Sequence, residues 1–210
     1  MDIAAEVVSA GQQLIDAGLV RGTSGNVSIR QGELVYASPT GVPYDQLEPT
    51  MISVVRLTDE QLAAGLRPTS ELPLHLAIYR ARPDVSAIVH THSMFATVFA
   101  SLNHTIPPVH YLLARAGGPP PIAGYARYGS TELAENCVQA MGQGPSVLLA
   151  NHGVVSVGAD LRQAMAAAEA IEFVAELAWR AGQLGQPRLL TERELADAAE
   201  AFASYGQSDS

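Results

Sequence analysis

The sequence lacks lysine entirely, and all twelve of its basic residues are arginine. This absence excludes every mechanism in which a lysine amine forms a Schiff base with a carbonyl substrate. Cysteine is almost absent too, because Cys137 is the only one and has no partner for an internal disulfide. A lone cysteine is more typical of a reducing compartment than of a secreted scaffold, so we expect a cytoplasmic protein.

Long apolar runs and excess positive charge are also missing. No stretch approaches the roughly eighteen consecutive apolar residues of a membrane span, and the N-terminus has no basic start, so neither a span nor an export signal is predicted. The net charge of −9 disfavours nucleic-acid binding, which requires clustered basic residues. A small anionic substrate stays compatible with this charge, because backbone N–H groups can hold one phosphate.

The sequence does contain enough apolar residues for a substantial core, with 48% of 210 residues hydrophobic. No repeat or linker divides it, so we predict one domain over residues 1–210, with roughly the last five residues disordered. Helical and strand-like patterns interleave without strict βαβ alternation, which favours an α/β fold with a mostly antiparallel or mixed sheet covered by helices.

Turn and cap residues set the boundaries of the predicted elements. The segment 106–129, rich in proline and glycine, is predicted to form short strands and loops. The predicted helices cover 2–17, 70–82, 93–103 with Ser93 as cap, 130–142 with Ser130 as cap, a long segment from 161, and a last helix opened by Thr191 and Glu194. The predicted strands cover 26–30, 33–38, 51–57, 85–92 and two segments on either side of 151–153.

Two histidines one residue apart, His90 and His92, end an otherwise apolar strand. Side chains at positions i and i+2 of a strand share a face, so both imidazoles can reach one cation. His152 lies at another strand break beside Gly153, where the chain can turn tightly. Three neutral imidazoles with an open fourth position are typical of catalytic zinc, and Glu71 is the carboxylate available for that position or for proton transfer.

The spacing alone leaves a structural alternative open, because an H-x-H pair is a weak signal and buried histidines often serve as hydrogen-bonded core residues. His75 lies one turn after Glu71 on the same helix face and could compete as a ligand. Its apolar neighbours favour a structural role. His104 is interpreted as a loop residue and His110 as a strand residue, each with a structural role.

Three short polar segments have the composition of anion-binding loops. The stretch "RGTSGNVS" precedes a strand, "SPTGVP" forms a polar turn, and "PTSE" lies at a helix N-terminus, where the helix dipole favours negative charge. Each one alone is usually an ordinary turn or cap. Three such segments beside three histidines favour an anion site more strongly than any one of them does.

Taken in order, the motifs G-T-S-G-N, S-P-T-G, T-S-E, H-T-H and N-H-G resemble those of the class II aldolase/adducin family. The likeness extends over about residues 5 to 185, and five ordered motifs are far more specific than one. The resemblance implies a three-layer α/β/α fold with a central, mostly antiparallel sheet. It also implies a C4 homotetramer with active sites between adjacent subunits.

The resemblance further implies a role for each candidate residue. Zinc, or another divalent ion such as Mn²⁺ or Co²⁺, would be bound by His90, His92 and His152. Glu71 would be a ligand in the empty site and an acid/base once substrate displaces it. Tyr111 would be the second proton carrier, in the neighbouring subunit's site, and Tyr128 would line an aldehyde pocket. The substrate phosphate would be held by six loop residues: Gly25, Asn26, Thr40, Gly41, Thr69 and Ser70.

The activity implied is reversible cleavage of a ketose 1-phosphate, of the L-fuculose 1-phosphate type, to dihydroxyacetone phosphate and a small aldehyde. Three alternatives are a sugar-phosphate 4-epimerase, a 3-oxo-4-phosphosugar-acid decarboxylase and a non-catalytic adducin-like module. For the aldolase, Glu71 must titrate near neutrality, and a hydrophobic surround or an approaching enediolate could raise its pKa.

Overall fold

Six α-helices and eight strands follow one another, without strict alternation, along the part of the chain that the computed structural model describes, residues 2–58 and 60–203. The helices are α1 (Ile3–Asp16), α2 (Leu72–Ala81), α3 (Met94–Ser101), α4 (Thr131–Met141), α5 (Leu161–Leu184) and α6 (Glu192–Ala203). The strands are β1 (Asn26–Gln31), β2 (Leu34–Ala37), β3 (Ser53–Arg56), β4 (Leu62–Ala64), β5 (Ala87–Thr91), β6 (Ile122–Ala123), β7 (Ser146–Leu149) and β8 (Gly153–Gly158). Short 3₁₀ helices cover Tyr44–Gln46, Pro49–Met51 and Tyr111–Ala116.

All eight strands form one sheet in the order β4-β3-β2-β1-β5-β8-β7-β6. Every neighbouring pair is antiparallel except β6 and β7, which are parallel. The predicted mixed, mostly antiparallel sheet is therefore confirmed. The strands β1, β5 and β8 lie side by side at its centre. β5 contains His90 and ends directly before His92, and β8 begins directly after His152.

Helices cover both faces of the sheet, as the three-layer prediction requires. On one face α2 and α4 pack against alternate strand residues such as Ile88 and Val155. On the other face α1, α3 and α5 pack against the intervening residues, such as Val89 and Val154. Both sets of strand residues are fully buried, because a sheet with helices on both sides has no solvent-facing side.

Side-chain caps are present at several helix starts, including those predicted at Ser130 and Thr191. Asp2 accepts a hydrogen bond from the Ala4 N–H at 3.1 Å, and Ser130 accepts one from the Leu133 N–H at 3.1 Å. Thr191 and Glu194 form a reciprocal capping box, in which each side chain accepts from the other residue's N–H. These local polar signals therefore set the helix starts as predicted.

Three details differ from the sequence-based predictions. Ser93 begins α3 but makes no capping hydrogen bond through its side chain. Instead Glu172 of α5 accepts from the N–H groups of Phe95 and Ala96 at 2.9 and 2.8 Å. The middle segment contains a 3₁₀ helix, and His110 caps it rather than lying in a strand, because its Nδ1 accepts from the Leu112 N–H.

No helix in the described part of the chain is both long and apolar enough to cross a membrane. The tail predicted to be disordered lies outside the described residues.

Candidate active site

Four ligand-type side chains converge at one end of the central strands. One atom from each of Glu71, His90, His92 and His152 lies within 4.8 Å of the others. The three imidazole rings are 4.9 Å apart, centroid to centroid, for every pair. The structure thus brings together all four predicted metal ligands, although 81 residues separate Glu71 from His152 along the chain.

Strand pairing accounts for this convergence. His90 and His92 follow the alternation of β5, while His152 lies in the tight connection between β7 and β8, directly beside the end of β5. Gly153 approaches β5 so closely that a Cβ atom there would overlap the carbonyl oxygen of Thr91. On the other side, a Cβ at Gly25 would lie 2.6 Å from the His90 carbonyl oxygen. Both glycines are needed because the backbones on either side touch β5.

His90 has its ring orientation and tautomer fixed by the backbone. Its Nδ1 lies 3.0 Å from the Val154 carbonyl oxygen, which can only accept, so this nitrogen carries the proton. In neutral His90 the Nε2 lone pair then points at Glu71 Oε2 and at His92 Nε2, each 3.0 Å away. Lone pairs facing one another require a proton or a cation between them, and an outer hydrogen bond of this kind is typical of metal-binding histidines.

Glu71 immediately precedes α2 and is 5% exposed. Its Oε2 accepts a hydrogen bond from the Asn26 amide at 3.0 Å. Its Oε1 is buried, has no hydrogen-bond partner within the described part of the chain, and lies 3.4 Å from His152 Nε2. A buried carboxylate oxygen without a donor is costly unless another positive group satisfies it. The four side chains therefore fit a divalent cation, which would satisfy this oxygen and the facing lone pairs together.

The pKa of Glu71 differs from the expectation. Burial by itself raises the pKa of this carboxyl, but the imidazoles of His90 and His152 and the Asn26 amide lower it to well below its ordinary value. The surroundings alone therefore do not bring Glu71 near neutrality. Of the two causes proposed from the sequence, only the negative charge of an approaching enediolate remains.

The histidines differ in the direction of their pKa shifts. Burial lowers the pKa of His92 and of His152 to about 4, with the charge on His90 contributing in the same direction. Burial also lowers the pKa of His90, but the Glu71 carboxylate raises it above its ordinary value. At neutral pH His92 and His152 therefore present unprotonated nitrogens, which is the form that binds metals.

His75 does not join the cluster. It is completely buried, its Nε2 contacts Asn26 Oδ1, and its Nδ1 lies 2.7 Å from the Ser28 hydroxyl. Burial, assisted by the charge on His90, lowers the pKa of His75 to about 3. The structure thus places His75 in a neutral hydrogen-bonded role behind Glu71, in agreement with the structural interpretation of its sequence context.

A cavity of about 380 Å³ opens beside the cluster. All six predicted loop residues line it, from three separate segments of the chain. The segments are held together by backbone bonds, since the Thr69 N–H donates to the Ser38 carbonyl and the Thr40 N–H donates to the Arg67 carbonyl, both at 3.1 Å. Among the described residues no arginine lines the cavity, so an anion there would be held by neutral donors and the N-terminus of α2.

Two of these residues are already engaged in the protein's own hydrogen bonds. The Thr69 hydroxyl accepts from the Glu71 N–H at 3.2 Å, at the start of α2. The Asn26 side chain is 3% exposed and contacts Glu71 and His75. Ser70, Thr40 and the two glycines are more open to the cavity.

The segment "YARYG" forms another wall of the cavity. Tyr128, the predicted aldehyde-pocket residue, lines it together with Tyr125 and Ala126, and both tyrosines are more than 60% exposed. Gly129 lets this segment approach the start of α2, because a Cβ there would lie 2.5 Å from the Ser70 carbonyl oxygen. The aromatic wall therefore lies next to the polar loops.

Tyr111 does not reach the cavity of its own chain. It lies at the start of the 3₁₀ helix Tyr111–Ala116, is 51% exposed, and stacks near His110 and Phe202 at centroid distances of 4.5 and 5.9 Å. A position away from the chain's own site is compatible with the expected contribution to a neighbouring subunit.

Four cavity residues with polar side chains were not among the predicted site residues: Thr23, Ser24, Tyr125 and Asn151. Thr23, Ser24 and Asn151 belong to the motifs G-T-S-G-N and N-H-G, and Tyr125 lies in the proline- and glycine-rich segment 106–129. Asn151 carries the clearest signal, because it precedes His152 and adopts a positive φ of 55°, which asparagine tolerates better than most residues.

Comparisons with known proteins agree with this geometry. The family model described as the class II aldolase and adducin N-terminal domain matches residues 5–179. A 5-deoxy-D-ribulose 1-phosphate aldolase of Bacillus thuringiensis is 39% identical over 204 residues, covering 96% of each chain. The L-fuculose phosphate aldolase of Escherichia coli K12 is 34% identical over 206 residues, covering 97% of this chain and 95% of the relative. A solved L-fuculose 1-phosphate aldolase superposes with a TM-score of 0.91 at 35% identity, over 96% of both chains.

Proposed function

The chain belongs to the class II aldolase and adducin family, and from that membership we propose that it is a zinc-dependent aldolase acting on a ketose 1-phosphate. The reaction is the reversible cleavage of an L-fuculose 1-phosphate-like or 5-deoxyribulose 1-phosphate-like substrate to dihydroxyacetone phosphate and a small aldehyde. One observation carries the proposal: three imidazoles and a carboxylate converge at the end of a cavity whose other walls are anion-type loops and tyrosines.

His90, His92 and His152 would hold the cation, with Glu71 as a further ligand. A divalent cation bound there supplies a Lewis acid that withdraws charge from the substrate oxygens as a carbon–carbon bond breaks. The lack of lysine supports this assignment, since the alternative electron sink of other aldolases is a lysine Schiff base.

The substrate phosphate would lie on Gly25, Thr40, Gly41 and Ser70, with the N-terminus of α2 directed at it. Asn26 and Thr69 complete this set, each through a side chain that also orients Glu71. The sugar end that leaves as aldehyde would face Tyr125 and Tyr128. Such an arrangement fixes the reacting carbon between the phosphate loops and the aromatic wall, close to the carboxylate of Glu71.

Two proton transfers accompany cleavage. Tyr111 of an adjacent subunit would take the proton from the hydroxyl group on the bond-breaking side. Glu71 would deliver a proton to the carbon of the resulting enediolate, which completes dihydroxyacetone phosphate. The enediolate's negative charge raises the pKa of a nearby carboxyl, and this effect opposes the lowering caused by the imidazoles.

The assembly we propose is a C4 homotetramer. Its support is a set of exposed aromatic and apolar side chains around the 3₁₀ helix, α3 and α5: Met94, Tyr111, Phe173 and Trp179 are each 44–51% exposed. Phe95 lies 5.7 Å from Trp179, and His110 lies 5.3 Å from Phe173 and 4.5 Å from Tyr111, so these aromatic groups form two contacting sets rather than single scattered residues. Surfaces of this kind are common at subunit interfaces.

In the direct test, zinc-loaded protein is incubated with dihydroxyacetone phosphate and a panel of small aldehydes, and the products are identified. Cleavage of both candidate sugar phosphates is measured in a second assay. Glu71→Gln is expected to retain zinc but to lose roughly 10²- to 10⁴-fold in turnover, the usual range for a general acid/base. Wild-type protein that epimerises L-ribulose 5-phosphate or releases CO₂ from a phosphosugar acid, and cleaves neither ketose, would contradict the aldolase proposal.

A mixing experiment tests the shared site. Glu71→Gln and Tyr111→Phe subunits are each expected to be nearly inactive alone. When the two variants are mixed in equal amounts and assemble into cyclic tetramers, about one quarter of the interfaces combine a native Glu71 from one subunit with a native Tyr111 from its neighbour. Recovery of about that fraction of wild-type turnover supports a site formed across the interface, whereas no recovery contradicts it.

A further inference from the structure

A chain of five buried polar side chains extends from Glu71 away from the cavity. Glu71 contacts Asn26, Asn26 contacts His75, His75 contacts Ser28, and Ser28 contacts Tyr79. None of the five is more than 5% exposed. Buried polar side chains need hydrogen-bond partners, and here each one is hydrogen-bonded to the next in the chain. The end of the chain at the cavity is Glu71, whose carboxylate the proposed reaction uses.

The chain results from matching periods on two elements. Glu71, His75 and Tyr79 are spaced by four residues, so they form one stripe along α2 with a rise of about 6 Å per step. Asn26 and Ser28 are spaced by two residues on β1 and share a face, with a rise of about 6.6 Å. The two spacings nearly coincide, and each β1 side chain therefore lies between two α2 side chains.

The donors and acceptors have one consistent order. The Glu71 carboxylate only accepts, so Asn26 faces it with its NH₂ group and faces His75 with its oxygen. His75 must then donate from Nε2, which leaves Nδ1 to accept from the Ser28 hydroxyl at 2.7 Å. The Tyr79 hydroxyl donates to Ser28, whose carbonyl and hydroxyl oxygens lie 3.0 and 2.8 Å away.

We propose that His75 is a positioning residue for proton transfer by Glu71, acting through the orientation of the Asn26 amide. The inference rests on the proposed aldolase function. A neutral His75 with its proton on Nε2 admits only one orientation of Asn26, the one that directs NH₂ at Glu71 Oε2. A flipped amide would place its oxygen against the carboxylate and displace it.

This orientation also distinguishes the two carboxylate oxygens. Oε2 accepts from Asn26, while Oε1 has no hydrogen-bond partner among the described residues. Once substrate displaces Glu71 from the cation, Oε1 is therefore the oxygen that can exchange a proton with the substrate carbon without breaking a hydrogen bond within the protein. His75 thus helps to set both the orientation of the carboxylate and the oxygen that takes part in proton transfer.

Two substitutions separate the contacts of His75. His75→Gln places an amide nitrogen the same number of bonds from Cβ as Nε2, so a donor to Asn26 is kept. His75→Asn reaches only as far as Nδ1, so the contact with Ser28 is kept and the contact with Asn26 is lost. Tyr79→Phe is the control, because it removes a buried hydrogen bond of the same chain but contacts neither Asn26 nor Glu71.

The assay follows the Glu71 step alone, without an aldehyde. Zinc-loaded protein is incubated with dihydroxyacetone phosphate in D₂O, and NMR measures replacement of a proton on the hydroxymethyl carbon by a deuteron. His75→Asn is expected to lower the rate at saturating substrate by about 10- to 100-fold, while His75→Gln stays within about threefold of wild type. Tyr79→Phe is expected to lower the unfolding midpoint but not the rate. Equal rates in wild type and His75→Asn, at equal zinc content, would overturn the inference.

A second measurement does not depend on activity. In metal-free, ¹⁵N-histidine-labelled protein, His75 is expected to give the shifts of a neutral ring protonated on Nε2. A ring protonated on Nδ1 alone would overturn the inference. Because this measurement needs no variant, it is decisive even if the His75 variants fold poorly. Wild-type protein that shows this Nε2–H ring but no exchange would instead contradict the proposed function, because the positioning chain would be present without the reaction.

Discussion

The neutral state of His75 makes a quantitative prediction about acid stability. In an unfolded chain this imidazole has an ordinary pKa near 6.5, but burial lowers its pKa to about 3 in the folded protein. Between those two values the unfolded chain binds a proton that the folded chain does not. Folding stability must therefore fall as the pH decreases from about 6.5 towards 3, and the contribution of His75 is fully present only above the unfolded pKa.

The magnitude follows from the size of the shift. A pH of 5 is about 1.5 units below the pKa of His75 in the unfolded chain, and each unit corresponds to about 1.4 kcal/mol. Protonation of His75 in the unfolded chain therefore lowers the free energy of unfolding at pH 5 by about 2 kcal/mol relative to pH 7. The other titrating groups add their own terms. Only the difference between wild type and a variant without this imidazole isolates the contribution of His75.

The matched variant is His75→Gln, which keeps the donor to Asn26 but does not titrate. Urea unfolding of both metal-free proteins at pH 7 and pH 5 gives four free energies of unfolding. All four are measured at one protein concentration, because assembly affects stability. Wild type is expected to lose about 2 kcal/mol more than the variant between the two pH values. Equal losses would refute the reasoning, since they would mean that His75 is protonated alike in the folded and unfolded chains.

Three further predictions concern the metal, a strand contact and a helix start. Zinc at about 100 times its dissociation constant is expected to stabilise wild type and a His104→Ala control by about 2.7 kcal/mol, and His92→Ala by far less, as thermal unfolding with and without EDTA measures. Gly153→Ala is expected to weaken zinc binding, measured by competition with a chromogenic chelator, because the added Cβ would displace the end of β5. Gly182→Ala is the control, because the space around Gly182 in α5 is open. This control should bind zinc normally and gain roughly 0.5–1 kcal/mol of stability. Glu172→Ala is expected to cost about 1–2 kcal/mol in urea unfolding, because two N–H groups at the start of α3 lose their acceptor, and an unchanged midpoint would contradict that capping role.

The sequence by itself determined the elements whose signals are local. Ser130 and the Thr191/Glu194 pair cap the helices they were predicted to cap, because a capping side chain bonds to backbone only three residues away. The alternation of β5 likewise predicted that His90 and His92 share a face. The same reasoning was wrong for Ser93 and His110, where a residue from a distant helix or an unexpected 3₁₀ turn satisfies the backbone.

Tertiary structure decided what depends on the distance between segments far apart in sequence. The convergence of His152 and Glu71 on β5 follows from the strand order β1-β5-β8, which no spacing in the chain specifies. The four-residue spacing of Glu71, His75 and Tyr79 is visible in the sequence. Their hydrogen-bond partners on β1 are not, because nothing in the sequence shows that α2 packs against β1. For the same reason the lowered pKa of Glu71 could not be foreseen: it depends on two imidazoles and an amide that only the folded sheet brings within 3.4 Å.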